Sequence, residues 1–166
     1  MQEISTARLY LTQLKYADIC FIYELVNSPG WIRFIGDRHI RCPDDANTYI
    51  GKVLSNPDVC YWVVKLKADD TPIGIITLIK RDYLDHPDLG YAFLGSYTKM
   101  GYAYEAAHGV LTLLHTDRGT RTILATTDPE NGDSVRLLGR LGFYFLRTIV
   151  VEQKILQLFC SQTAII

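Results

Sequence analysis

Apolar residues recur along the chain with two distinct periods. In "ARLYLTQL" Leu9 and Leu11 alternate with polar neighbours, the two-residue period of a strand. In "KYADICFIYELVN" Ile19, Ile22, Tyr23 and Val26 recur at helical spacing, and Asp18 sits in the first turn, where a carboxylate suits the helix dipole. "SPGW" ends that helix. "PDDANTYIGKVLS" predicts a second helix, opened by Pro43 with acidic residues in its first turn and stopped by "NPD". Three strands follow: "VCYWVVKLK", "TPIGIITLIKR" with Gly74 inside it as a bulge or close approach, and the short "DLGYAFL". A long helix begins near Ala103. Ala103, Ala107, Val110, Leu111 and Leu114 form its apolar stripe, and His108, Thr112 and His115 its polar one. "RTILATT" reads as a buried strand and "NGDSVRLLGRLG" as a helix with Gly142 as its C′ glycine. "FYFLRTIVV" and "KILQLFCS" close the chain as two strands.

The order is strand, two helices, three strands, helix, strand, helix, two strands. Consecutive strands argue for antiparallel pairing, and the strand–helix–strand from Asp88 to Thr127 argues for one parallel crossover. The expected fold is α/β: a mixed, mostly antiparallel sheet with one parallel strand pair and helices on both faces. The 166 residues fit one domain, taken as residues 1–166. With 48% apolar and 21% charged residues, the composition is that of an ordinary globular protein.

The net charge of -1 offers no basic footprint for nucleic acid. No apolar run is long enough to span a bilayer, and "MQEISTARLY" lacks the layout of a signal peptide. A cytoplasmic protein with no nucleic-acid or membrane partner is expected. None of the four cysteines is in C-x-x-C spacing, so they read as reduced thiols. His108 and His115 share a helix but lie seven residues apart, about 10.5 Å of rise, too far to share one zinc ion. No metal is expected.

The stretch "SYTKMGYAYEAA" raises the main chemical question. The first turn of a helix presents unpaired N–H groups that suit phosphate oxygens. Gly101 and Ala103 remove bulk from the incoming loop, and Lys99 adds a cation. The same residues are equally readable as a plain turn into a helix. There is no G-x-x-x-x-G-K-[ST] and no G-x-G-x-x-G, which argues against nucleotide hydrolases and dehydrogenases.

The segment "DLGYAFLGSYTKMGYAYEA" resembles the core of the GCN5-related N-acetyltransferases, close to their ribosomal-protein-acetyltransferase-like branch. Leu89-Gly90-Tyr91 matches the family's "IGYWL" strand, and Thr98 to Ala103 occupies its Q/R-x-x-G-x-G/A loop. Glu105-Ala106 matches its "TEA" helix start. "TARLYLTQL" and "PIGIITLIKRD" look like its first and third strands. Asn131, Ser134, Leu137, Leu138, Leu141, Gly142 and Phe143 match its N-x-x-S-x-x-L-L-x-x-L-G-F signature. Thr98 and Lys99 depart from the loop pattern, Lys99 standing where this branch often has glycine.

The resemblance implies an acetyl-CoA-dependent N-acetyltransferase acting on a primary amine of a small molecule or protein N-terminus. The alternative is a coenzyme A-binding sensor or interaction module with altered catalysis. A homodimer is compatible with either. Backbone near Phe93 and Leu94 is expected to meet the pantetheine and thioester. The loop Thr98, Lys99, Met100, Gly101, Tyr102 and Ala103 is expected to hold the pyrophosphate, with Asn131 and Ser134 beside the pantetheine arm. Ser134 equally reads as a helix cap. Asp88 is the first choice of base and Glu105 a weaker one; the rival reading is that Asp82, Asp85 and Asp88 form a solvated acidic loop. The family often carries a tyrosine as general acid where this chain has Leu138, leaving Ser134 or water for that task. Trp31, Arg33 and Phe34, with Ile35, Arg38 and Arg41, are expected at the acceptor site, the aromatics being equally readable as core.

Overall fold

Strand alternation sorts the apolar residues onto two sides of one sheet. The computed structural model describes residues 3–116, 120 and 122–162. Its strands are β1 (Ile4–Ser5), β2 (Leu9–Gln13), β3 (Val59–Leu66), β4 (Pro72–Ile79), β5 (Asp88–Phe93), β6 (Thr122–Thr127), β7 (Tyr144–Val151) and β8 (Lys154–Gln162). Their order in the sheet is β1-β2-β3-β4-β5-β6-β8-β7. Every neighbouring pair is antiparallel except β5 and β6, the expected parallel crossover. Arg121, the expected first residue of β6, lies outside the described residues.

Helices α1 (Ile19–Val26), α2 (Pro29–Phe34) and α3 (Pro43–Ser55) cover one face; α4 (Tyr102–Thr116) and α5 (Gly132–Arg140) cover the other. On β3, Trp62 and Val64 point into the α4 side and Tyr61 and Val63 into the α1–α3 side. The α4 stripe packs Ala106, Ala107, Val110, Leu111 and Leu114 against Leu9, Leu11, Trp62 and Ile76. No helix among the described residues is long and apolar enough to cross a membrane.

Three elements differ from the sequence reading: a two-residue strand, β1, precedes the expected first strand. Residues 16–18 form a separate 3-10 turn before α1. "SPGW" does not simply stop the first helix: Pro29 sits at the first turn of a new short helix, α2. Proline has no N–H to lose at that position, so the residue read as a breaker starts a helix instead. Trp31 is thereby turned inward, only 4% exposed, into the core with Ile22, Leu25 and Ile50.

Gly74 is both a bulge neighbour and a close approach. The β3–β4 register slips between Val64 and Lys65, and a Cβ on Gly74 would run into the Phe93 ring. Gly142 ends α5 with φ +86, while Gly142 N–H donates to Gly139 O and Phe143 N–H to Leu138 O. That is a Schellman cap, which needs a left-handed residue at this point.

Candidate active site

The parallel junction of β5 and β6 is a fork. The two strands share one registered pair, Asp88 with Leu124, and Leu124 N–H donates to Pro87 O at 2.9 Å. The next donor, Thr126 N–H, bonds the Asp88 carboxylate at 3.0 Å rather than a β5 carbonyl. A side chain thus occupies the place of a ladder acceptor, and the strands separate beyond it. On the other edge of β5, Leu94 N–H donates to Ile73 O of β4. Strand alternation then directs the main-chain groups of Phe93 and Tyr91 toward the opened side. Of the backbone expected to meet the pantetheine and thioester, the Leu94 N–H is thus spent on β4, and the Phe93 N–H faces the opened side.

The fork opens into a cavity of about 430 Å³. Of the residues singled out from the sequence, Asp88, Asn131, Ser134 and Leu138 line it, as do Trp31, Phe34, Ile35 and Arg38. Arg33 does not: its guanidinium lies 4.8 Å over the Phe34 ring. Arg41 is held by Asp37 at 2.5 Å.

Asp88 is not part of a solvated acidic loop. It is buried at 4% exposure, and its carboxylate also takes Arg81 Nε at 3.0 Å. Burial pushes its proton affinity up; Arg81 and Thr126 pull the other way without overcoming it.

Ser134 is not the cap of α5. Asn131 is, accepting Ser134 N–H on its side-chain oxygen at 3.1 Å. The Ser134 hydroxyl is released for another partner, Tyr91 Oη at 2.8 Å, and Tyr91 also donates to Ser134 O at 3.1 Å. Burial pushes the Tyr91 hydroxyl up to about 12. Leu138, one turn beyond Ser134, lines the same cavity with a hydrocarbon chain.

The loop from β5 into α4 lies outside this cavity wall, at the next point along the same strand. Lys99 and Gly101 have φ of 61 and 82 on either side of Met100, which does not. Alternation of hand between successive residues turns their N–H groups toward one concavity, an arrangement suited to an anion. Gly101 precedes α4 and its carbonyl accepts Glu105 N–H, so the N–H groups of Tyr102, Ala103 and Tyr104 are first-turn donors without helical partners. A Cβ on Gly101 would lie 3.4 Å from Arg8 Nη2. Thr98 is spent on its own turn, with its hydroxyl on Gly95 O. Lys99 in the left-handed region explains why glycine suits that position.

Arg8 braces this loop from behind. It donates to Met100 O at 3.1 Å and to Glu105 at 2.7 Å, and lies 4.4 Å over the Tyr102 ring. Glu105, the weaker base candidate, is thereby a clamp. It also accepts from Thr6 Oγ1 and Arg8 N–H, which more than offsets burial and holds its carboxyl below the usual range. It does not line the fork cavity. Beside it is an open hollow of about 440 Å³ lined by Arg8, Gly101, Tyr104, His108 and Arg140. The sequence reading does not reach the roles of Arg8 and the Tyr91 hydroxyl because their partners Glu105 and Ser134 are 97 and 43 residues away; Arg81 meets Asp88 only because the turn between β4 and β5 brings them together.

The residues fit coenzyme A. An alternating-hand loop and free helix N–H groups suit a pyrophosphate, and an opened strand edge suits an amide-bearing arm.

Comparison with known proteins agrees. The model of the acetyltransferase (GNAT) domain matches residues 8–144. The uncharacterized N-acetyltransferase YnaD of Bacillus subtilis (strain 168) is 27% identical over 140 residues, 84% of this chain and 81% of YnaD. The fold is similar to a GNAT-family acetyltransferase from Bacillus anthracis, with a TM-score of 0.82 at 20% identity, covering 97% of this chain and 98% of that one. It is also similar to spermidine N-acetyltransferase from Vibrio cholerae, solved with CoA and spermine, with a TM-score of 0.80 at 19% identity, covering 93% and 95%. With its forked sheet, its cradle before α4 and a family match over most of its length, this chain belongs to the GNAT acetyltransferase family.

Proposed function

We propose that this protein transfers an acetyl group from acetyl-CoA to a primary amine, with the fork cavity as the reaction site. The observation that carries this is continuity: anion-suited loop, opened strand edge and a cavity holding a buried carboxylate follow one another along β5, its loop and α4, with the Ser134–Tyr91 hydroxyl pair facing them from α5. Acetyl-CoA supplies the activated thioester carbon.

The chain's residues then have separable tasks. Backbone N–H groups from Met100 to Ala103 hold the pyrophosphate. The Phe93 N–H faces the thioester carbonyl and favours charge on its oxygen. Asp88 serves as base, directly or through water, and its raised proton affinity suits that task. Arg81 and Thr126 fix the carboxylate in place. As the amine nitrogen bonds to the acetyl carbon, the C–S bond breaks and one amine proton passes to Asp88. The sulfur leaves with the electron pair as a thiolate that the Ser134 hydroxyl, held by Tyr91, stabilises by hydrogen bond, and water supplies its proton. A thiol pKa near 8.5 keeps that last demand modest. Trp31 and Phe34 form apolar wall on the acceptor side, and Arg33 acts only through its stacking on Phe34.

Thiol release from acetyl-CoA across a panel of primary amines tests this. Turnover is expected, with Ser134→Ala lowering kcat while CoA binding is retained. A chain that binds CoA and releases no thiol with any amine would instead be a coenzyme A-binding module.

A further inference from the structure

A buried hydroxyl ordinarily has a hydrogen-bond partner. Thr77 on β4 is 8% exposed and lines the fork cavity, and its Oγ1 meets no partner among the described residues. Strand pairing shows what it faces. Thr77 stands opposite Gly90 of β5, and a Cβ on Gly90 would fall 2.6 Å from Thr77 Oγ1. A side chain at position 90 would displace or cover the hydroxyl, whereas glycine leaves it open to the cavity that both residues line.

Thr77 shares its face of the sheet with Asp88. Ile75, Ile79 and Ala92 belong to the core on the α1–α3 side, and Thr77, Gly90 and Asp88 alternate onto that same face. The other strand hydroxyls on this face of the cavity are spent. Tyr61, opposite Thr77 on β3, lies 3.0 Å from Tyr49 Oη, and Thr126 bonds Asp88. Thr127 follows Thr126 and, like Ala125, falls on the α4–α5 side.

Distance decides what such a hydroxyl can do. Asp88 and Phe93 are the two ends of β5, about 17 Å apart at about 3.3 Å per residue. A carbonyl held at the Phe93 N–H and the nitrogen attacking it take up about 7 Å of that. The remaining gap of about 10 Å exceeds the reach of direct proton transfer or of a single bridging water, about 3–6 Å. Gly90 and Thr77 lie inside the gap, about 7 Å along the strand from Asp88.

We propose that Thr77 relays the acceptor's proton to Asp88. This rests on the acetyl-transfer reading above and narrows its base step to a relayed route. As the C–N bond forms, Thr77 Oγ1 accepts the amine proton and gives its own hydrogen to a water, which passes one on to the Asp88 carboxylate. Hydroxyl and water end unchanged, and the carboxylate gains the one proton that the amine loses. The carboxylate has a place for that water. Of its roughly four acceptor positions, Arg81 Nε, Thr126 N–H and Thr126 Oγ1 occupy three.

The test removes the hydroxyl and keeps the strand. Thr77→Val, which preserves shape and branching, and Thr77→Ala as a second variant are each expected to lower kcat for a primary alkylamine by about tenfold or more, with KM nearly unchanged. Thr77→Ser is expected to restore most of the rate, and all three to bind CoA as the parent does by calorimetry. The loss is expected to shrink with a fluorinated, weakly basic analogue of the same amine, which arrives neutral and sheds its proton readily once it has attacked. A kcat like the parent's without the hydroxyl, a rise in KM in place of the fall in kcat, or an equal loss with both amines overturns the relay and leaves acetyl transfer standing. Failure of every amine with the parent chain, its CoA binding intact, overturns both.

Discussion

At the scale of single residues, position decides chemistry more than residue type does. Asp88, Asp82 and Asp85 are alike in sequence, yet only Asp88 is drawn to the mouth of β5, where Thr126 and Arg81 bind it. Its raised proton affinity has a sign that can be checked twice. As a base it works when ionised, so kcat/KM should climb with pH through the raised carboxyl value. Asp88→Asn should flatten that limb, and Arg81→Gln, which removes a group holding the value down, should move it to higher pH. A profile unchanged in both variants removes Asp88 from the reaction. For stability, the folded chain holds this proton more tightly than the unfolded one. The Asp88 contribution is therefore full below the ordinary value of 3.8 and is lost as pH rises through the folded value. Glu105 has the opposite sign: its contribution is present above the ordinary value of 4.5 and is lost as pH falls.

At the scale of elements, the ends matter as much as the faces. Helix α5 is capped by Asn131 and closed by the Gly142 turn, so both ends of its backbone are satisfied. Because the cap is Asn131, Ser134 is left facing Tyr91. Asn131→Ala should cost about 1 kcal/mol, a fall in Tm of about 2–4 °C for a chain of this size, and Asn131→Asp should keep the cap. Thermal denaturation of the two variants measures the difference. Strand β7 shows the converse. Its run "YFLRTIVV" is largely apolar, but β7 is the last in the sheet, and Phe145 and Val150 are 51% and 70% exposed. Apolar patterning predicts a strand without saying which neighbours it receives.

At the scale of the whole molecule, ligand sites and stability are linked. The cradle and the fork belong to the folded chain alone, because one needs two left-handed residues around Met100 and the other needs β5 and β6 to meet at one point. CoA at 100 times its Kd should therefore stabilise the fold by about 2.7 kcal/mol, or about 5–11 °C in Tm. Gly101→Glu should remove most of that shift, because it places bulk and negative charge where we propose the phosphate binds and a side chain at φ 82. A Gly101→Glu shift equal to that of the parent chain would displace the cradle from this loop.

The periodicities of the sequence were sufficient for most of the element order, though not for β1 or α2, and for the single parallel crossover and helices on both faces, because those depend on local spacing and on which connections a sheet permits. The loop before α4 was legible as a candidate cradle for the same reason, because loop, glycine and helix start are contiguous from Thr98 to Ala103, although spacing alone left a plain turn equally open. What only the tertiary structure decided were the pairings across the chain. Thr126 opens the fork on Asp88 from 38 residues away, Ser134 meets Tyr91 across 43, and Lys154 approaches Gly36 from the far hairpin. The free energy of such contacts depends on distance and burial in space, and neither is encoded in the spacing of residues along the chain.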